Sequence, residues 1–143
     1  MTEQEPERIV VAIDGSPTSL DALRWAIDHA DRLGAVVEAL HVWQIPNIYG
    51  TPVPDLPGES FEDTAKRSLQ GSITEVLGGR TDAPVEAVTR QGYAPKILVE
   101  RSKTADLLVV GSRGRGALAG TLLGSVSLHC VTHAACPVVL VRG

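Results

Sequence analysis

Gly111-Ser112-Arg113-Gly114, with Gly124-Ser125-Val126-Ser127 nine residues further on, combines residue types suited to holding phosphate. Glycines let backbone N–H groups approach an anion closely, and the first turn of a helix has free donors and a partial positive charge. The apolar run Leu107–Val110 before it reads as a buried strand, and a helical pattern starts at Ser125. A strand, a glycine-rich loop and a helix N-terminus in succession point to nucleotide binding.

Other phosphate loops fit less well. A Walker A loop needs a Lys-Ser/Thr pair after its second glycine, and the lysines here are Lys66, Lys96 and Lys103, none in a glycine-rich loop. Gly114-Arg-Gly116-Ala-Leu-Ala119 has the form GxGxxG/A, but no acidic residue follows about 20 positions later to hold a ribose. His129, Cys130, His133 and Cys136 raise a metal alternative, since His129 and His133 could share a helix face. The favoured reading there is a helix end leading into a strand, with Cys136 packed as a small apolar group and both thiols reduced.

The elements that must position the loop follow from periodicity. Arg8–Ile13 is a β-branched strand, and Asp14-Gly15-Ser16-Pro17 a turn with Ser16 as N-cap and Pro17 at the first helical position. Leu20, Leu23, Ile27 and Ala30 form a helical stripe closed by Gly34. Val36–Trp43 is a second strand; the Pro-rich segment 44–60 reads as a long surface loop suited to ordering on ligand binding. A helix over 61–77, a more exposed strand over 84–89, a short helix over 95–102, a strand over 106–110, a helix over 125–134 and a strand over 137–141 complete the alternation. Such alternation implies one α/β domain over 1–143, with a parallel sheet, right-handed crossovers and helices on both faces. Ligands in such sheets bind beyond the strands' carboxyl ends where strand order reverses, which would bring Asp14 and the Gly111 loop to one crevice.

Composition sets outer limits. Apolar residues make up 43% and charged residues 21% of the 143, and the net charge is −4 with signs interspersed. That disfavours a broad nucleic-acid face. No run reaches the roughly 18 apolar residues of a membrane span, and the polar start lacks a signal-peptide core, so a cytoplasmic location is expected.

The third loop pattern, G-x2-G-x9-G-S/T, is met by Gly111, Gly114, Gly124 and Ser125. With Val10–Ser16, Leu40-His41-Val42 and Cys136–Val141 in order, the chain resembles the nucleotide-binding universal stress proteins over nearly its whole length. The resemblance implies a five-stranded parallel sheet of order 3-2-1-4-5. It implies that Asp14 and Gly111 lie by a ribose, that Val42 offers backbone groups to adenine, and that Ala12 and Ile13 line the pocket. Gly114, Gly124, Ser125, Val126 and Ser127 would hold phosphates through N–H groups and hydroxyls. Arg113 and Arg115 are the loop's basic groups, set either to pair with phosphate or to be solvated. A helix end carries about half a positive charge, too little for a triphosphate, so Mg²⁺ held by phosphate oxygens and water is expected with ATP. The resemblance also implies a homodimer through strand 137–141, an apolar edge that physically invites pairing. The expected role is a regulator that couples ATP occupancy to a protein partner. A slow ATPase or self-phosphorylating enzyme, and a cyclic AMP binder, are the alternatives.

Overall fold

A computed structural model describes residues 5–55, 60–114 and 123–143. Its main sheet has five parallel strands: β1 (Arg8–Ala12), β2 (Val36–Trp43), β5 (Val85–Gln91), β6 (Leu107–Gly111) and β7 (Val138–Val141). They lie in the order β5-β2-β1-β6-β7. Counted along this sheet alone the order is 3-2-1-4-5, as the resemblance implied. The order reverses between β1 and β6, whose register pairs Val10 with Leu108 and Val11 with Val109.

Helix α1 (Pro17–Leu33) starts where expected. Ser16 Oγ accepts the Ser19 N–H, Pro17 opens the first turn, and Gly34 ends the helix with φ 69°. That left-handed conformation favours glycine. Helix α2 (Phe61–Leu77) is capped by Ser60, whose side chain accepts the Asp63 N–H. Helices α3 (Ala94–Ser102) and α4 (Ser125–His133) complete the set of described helices.

Side-chain alternation along the strands divides the core in two. Ile9, Val11, Val37, Ala39 and Val109 pack towards α1 and α2 with Leu23, Ile27, Leu69 and Ile73. Val10, Leu40, Leu108 and Val110 point the other way, against Leu98 of α3 and Cys130 of α4. Adjacent strand residues thus serve opposite layers, so β1 and β6 read as unbroken apolar runs. Each fully buried Leu or Val stabilises the fold by about 1.5–3 kcal/mol before entropy is counted. On α1 the buried stripe holds Leu23, Ile27 and Ala30 as read from the spacing, but Leu20 is half-buried and Ala22 and Ala26 are buried instead. Small residues there let the helix sit close to β1 and β6.

The 44–60 segment differs from the irregular loop expected. It contains an antiparallel ribbon, β3 (Asn47–Ile48) with β4 (Thr51–Pro52). Tyr49 and Gly50 form its turn at φ 50° and 79°. Two successive positive φ values match the twist of a two-residue hairpin. The Val53 N–H donates to Pro46 O at 2.8 Å and closes the ribbon's base. A glycine second in the turn was the available signal, masked by tyrosine, which rarely adopts positive φ.

Among the described residues no helix is long and apolar enough to cross a membrane. Both cysteines are free. Burial pushes the Cys130 thiol up to about 11, with the Cys136 charge a smaller cause. Burial likewise raises Cys136. His129 and His133 stack with ring centroids 4.3 Å apart. Among the described residues no group of three or more His, Cys, Asp or Glu is placed to hold a metal.

Candidate functional site

Beyond the carboxyl ends of β1, β2 and β6, at the point where strand order reverses, lies a cavity of about 410 Å³. Ala12, Ile13, Asp14, Val42, Gly111, Arg113, Gly114, Gly124, Ser125, Val126 and Ser127 all line it. Three crossovers meet here: β1 into α1, β2 towards the ribbon, and β6 into α4.

The cavity has a polar end built on β6 and α4. Gly124 is the N-cap of α4 and supplies no side-chain cap. The first helical bond there is Leu128 N–H to Gly124 O at 3.0 Å. The N–H groups of Ser125, Val126 and Ser127 precede it and belong to the turn that has no helical acceptors. They carry the positive end of the helix dipole. The loop is drawn together by the Gly124 N–H, which donates to Ser112 O at 2.7 Å. A Cβ on Gly114 would stand 2.7 Å from Asp14 Oδ2. The β1 turn and the glycine loop therefore touch across the switch point, and a side chain at position 114 would require the Asp14 carboxylate to turn aside.

Two of these residues also have structural roles. The Ser127 hydroxyl was expected to hold phosphate, but it donates to Gly111 O at 2.6 Å, and Ser112 O lies at 3.3 Å. A hydroxyl has one proton, so Ser127 ties α4 to the end of β6 and is left with its N–H and oxygen lone pairs. Asp14 Oδ1 accepts the Ser16 N–H at 2.9 Å, which shapes the turn into α1 while the residue lines the cavity. Arg113 is exposed at the cavity wall. Arg115 and the formal GxGxxG/A stretch beyond it lie outside the described residues.

The other end of the cavity is apolar. Leu40, Leu98, Val110 and Ala94 join Ala12 and Val42. Sequence reading missed these, together with Ser16 and Ser19. Leu40 and Val110 were read as core strand residues, and strand ends serve core and cavity at once. Leu98 and Ala94 come from α3, whose place above the cavity is set by topology. His41 and Trp43 are not among the lining residues. His41 Nδ1 lies 2.8 Å from Ile13 O, which fastens β2 to the end of β1. Trp43 is half-buried, and its carbonyl accepts the Gly92 N–H.

A family model described as "Universal stress protein family" matches residues 6–142. The chain belongs to the universal stress protein family. A universal stress protein of Mycobacterium tuberculosis strain H37Rv is 40% identical over 139 residues, 94% of this chain and 45% of the relative. The chain thus spans less than half the length of the curated relatives it matches. Among solved structures, the universal stress protein UspA from Lactobacillus plantarum superposes with a TM-score of 0.69 at 21% identity, covering 98% of this chain and all of the other. A universal stress protein solved in complex with cyclic AMP gives a TM-score of 0.65 at 27% identity, covering 94% of this chain and 95% of the other. The universal stress protein fold and the position of the cavity at its switch point agree with the expectation from residue order.

Proposed function

We propose that this universal stress protein domain binds an adenine nucleotide in the switch-point cavity, with ATP as its magnesium complex the preferred ligand. The carrying observation is that one cavity joins an apolar wall to the uncapped N-terminus of α4. Its volume lies within the range of about 300–1,000 Å³ usual for small-molecule sites. The relative solved with cyclic AMP supports an adenine nucleotide in general. In this reading Ala12, Ile13, Leu40, Val42 and Leu98 enclose the base, and Val42 offers backbone groups to its edge. Asp14 and Gly111 lie by the ribose. The N–H groups of Gly114, Ser125, Val126 and Ser127 hold the phosphates, Gly124 leaves them room beside the Gly114 N–H while its own N–H stays on Ser112 O, and Arg113 pairs with the terminal one. A cyclic monophosphate would use less of this helix N-terminus and glycine loop than a polyphosphate, which favours ATP. Mg²⁺ would neutralise the charge left over after the helix dipole, held by phosphate oxygens and water. Occupancy, read by a protein partner, is the output. Stoichiometric phosphate release in a single-turnover assay would move the reading to a slow ATPase.

Calorimetric titration with ATP, ADP and cyclic AMP, with and without Mg²⁺, tests this. ATP is expected to bind most tightly and to lose affinity when Mg²⁺ is chelated. Failure of all three to bind at millimolar concentration would overturn the nucleotide reading.

The same reading includes a homodimer through strand 137–141. β7 pairs with β6 on one side and all four of its residues are half-exposed. An apolar edge strand is a template for pairing with a second chain about a two-fold axis. Sedimentation at micromolar concentration is expected to give twice the chain mass; a monomer at every concentration refutes the dimer.

A further inference from the structure

Glu38 is the one charged residue that is buried among the described residues, with its side chain 3% exposed. It sits on β2 two and four residues before Leu40 and Val42, and alternation puts all three on one face of the sheet. The Arg101 guanidinium clamps it with two bonds. Nε donates to Oε2 at 2.9 Å, and a terminal nitrogen donates to Oε1. Arg8 reaches Oε1 at 3.2 Å but also serves Glu86 at 2.9 Å.

Arg101 belongs to α3, where it lies three residues after Leu98 and seven after Ala94. That spacing places all three on one helical face. The face that carries the charge clamp therefore also supplies the apolar cavity wall, since Ala94 and Leu98 line the cavity. The helix has nine residues, and no side chain caps its cavity end. Helices this short are not stable by themselves, so tertiary ties decide where α3 lies. A buried ion pair adds little net stability compared with apolar packing, but its bidentate geometry tolerates little displacement.

We infer that Glu38–Arg101 is a positioning pair for base recognition, setting the height of α3 over the apolar end of the cavity from the opposite end of the helix. This rests on the nucleotide reading of that cavity. Neither residue touches the ligand; both act through Leu98 and Ala94. The phosphate end, on β6 and α4, is built without them.

The test uses the whole chain with Glu38→Gln, and with Arg101→Lys as the milder variant. Arg101 is 30% exposed, and lysine keeps the charge while losing the two-pronged fork. The readouts are ATP and GTP affinities and amide hydrogen exchange. ATP affinity is expected to fall roughly three- to thirtyfold, the usual reach of residues that act through a packed network. GTP affinity should fall less, so the ATP/GTP ratio collapses. Exchange should quicken over 94–102 and stay unchanged over 17–33, on the opposite face of the sheet. Equal losses for both nucleotides would mean a general loss of structure and overturn the inference. So would wild-type affinities and exchange in Arg101→Lys. If the wild type binds no nucleotide, the function reading fails, while the exchange arm still decides whether the pair holds α3.

Discussion

Gly124→Val is expected to lower ATP affinity about a hundredfold, equivalent to losing one or two charge-assisted hydrogen bonds of about 1.5–3 kcal/mol each. The backbone at Gly124 is extended, with φ −72° and ψ 165°, so valine fits it without strain. A Cβ there would stand 3.4 Å from Gly114 N and 3.6 Å from Arg113 Cα, ordinary contact distances. The fold therefore accepts the substitution, and the bond from its N–H to Ser112 O survives. A valine side chain begins 3.4 Å from Gly114 N and so crowds the Gly114 N–H, where the proposed phosphate has to approach. Stability should change by less than about 1 kcal/mol. Gly124→Ala, which adds one carbon, should show an intermediate loss. Calorimetric titration of the three proteins checks this. Unchanged affinity in the valine protein would place the nucleotide elsewhere.

Gly111→Val is expected to cost about 3 kcal/mol of folding stability, at the upper end for overpacking a tight contact. Here the new carbon would stand 2.7 Å from Thr18 Cγ2 and 3.2 Å from the Thr18 carbonyl carbon. A methyl group can turn aside, but the backbone contact requires the first turn of α1 to move. That turn carries Ser16 and Ser19, which line the cavity, so nucleotide affinity should fall along with stability. Thr18→Ser removes the methyl and should recover part of the loss in Gly111→Ala, where no second methyl competes. Urea denaturation of the single and double variants measures this as a coupling energy. An unchanged midpoint for Gly111→Val would show that β6 and α1 have slack at this contact.

These two glycines show how far the motif could be read from the chain. Both are assigned to nucleotide contact by the glycine pattern together with the family resemblance. For Gly124 the structure keeps that assignment open, with space beside it and an uncapped helix behind. For Gly111 it adds a second reason, the close approach of α1. Spacing cannot separate a glycine facing a ligand from one facing a neighbouring helix, because both demand only the absence of a Cβ. Ser127 teaches the same lesson for a hydroxyl, since its proton goes to Gly111 O.

Residue order along the chain settled what depends on local pattern. Ser16, Pro17 and Gly34 marked the ends of α1 because caps satisfy orphan backbone groups within a few residues. Alternating strands and helices settled the parallel sheet and the layers, since the crossover rule leaves few topologies. The eleven candidate residues, taken from the glycine loop and from the family resemblance, all line one cavity. Tertiary structure alone decided the pairing of residues far apart in the chain. Nothing near Glu38 in the chain marks it as buried, and it is buried with Arg101, 63 positions later, as its partner. Leu98 is a core residue and also cavity wall because α3 packs over β1 and β2. Local backbone preferences act within a few residues and are written in the order of the chain. Desolvation and close packing act through space, so a charge's partner or a glycine's neighbour appears only once the sheet has assembled.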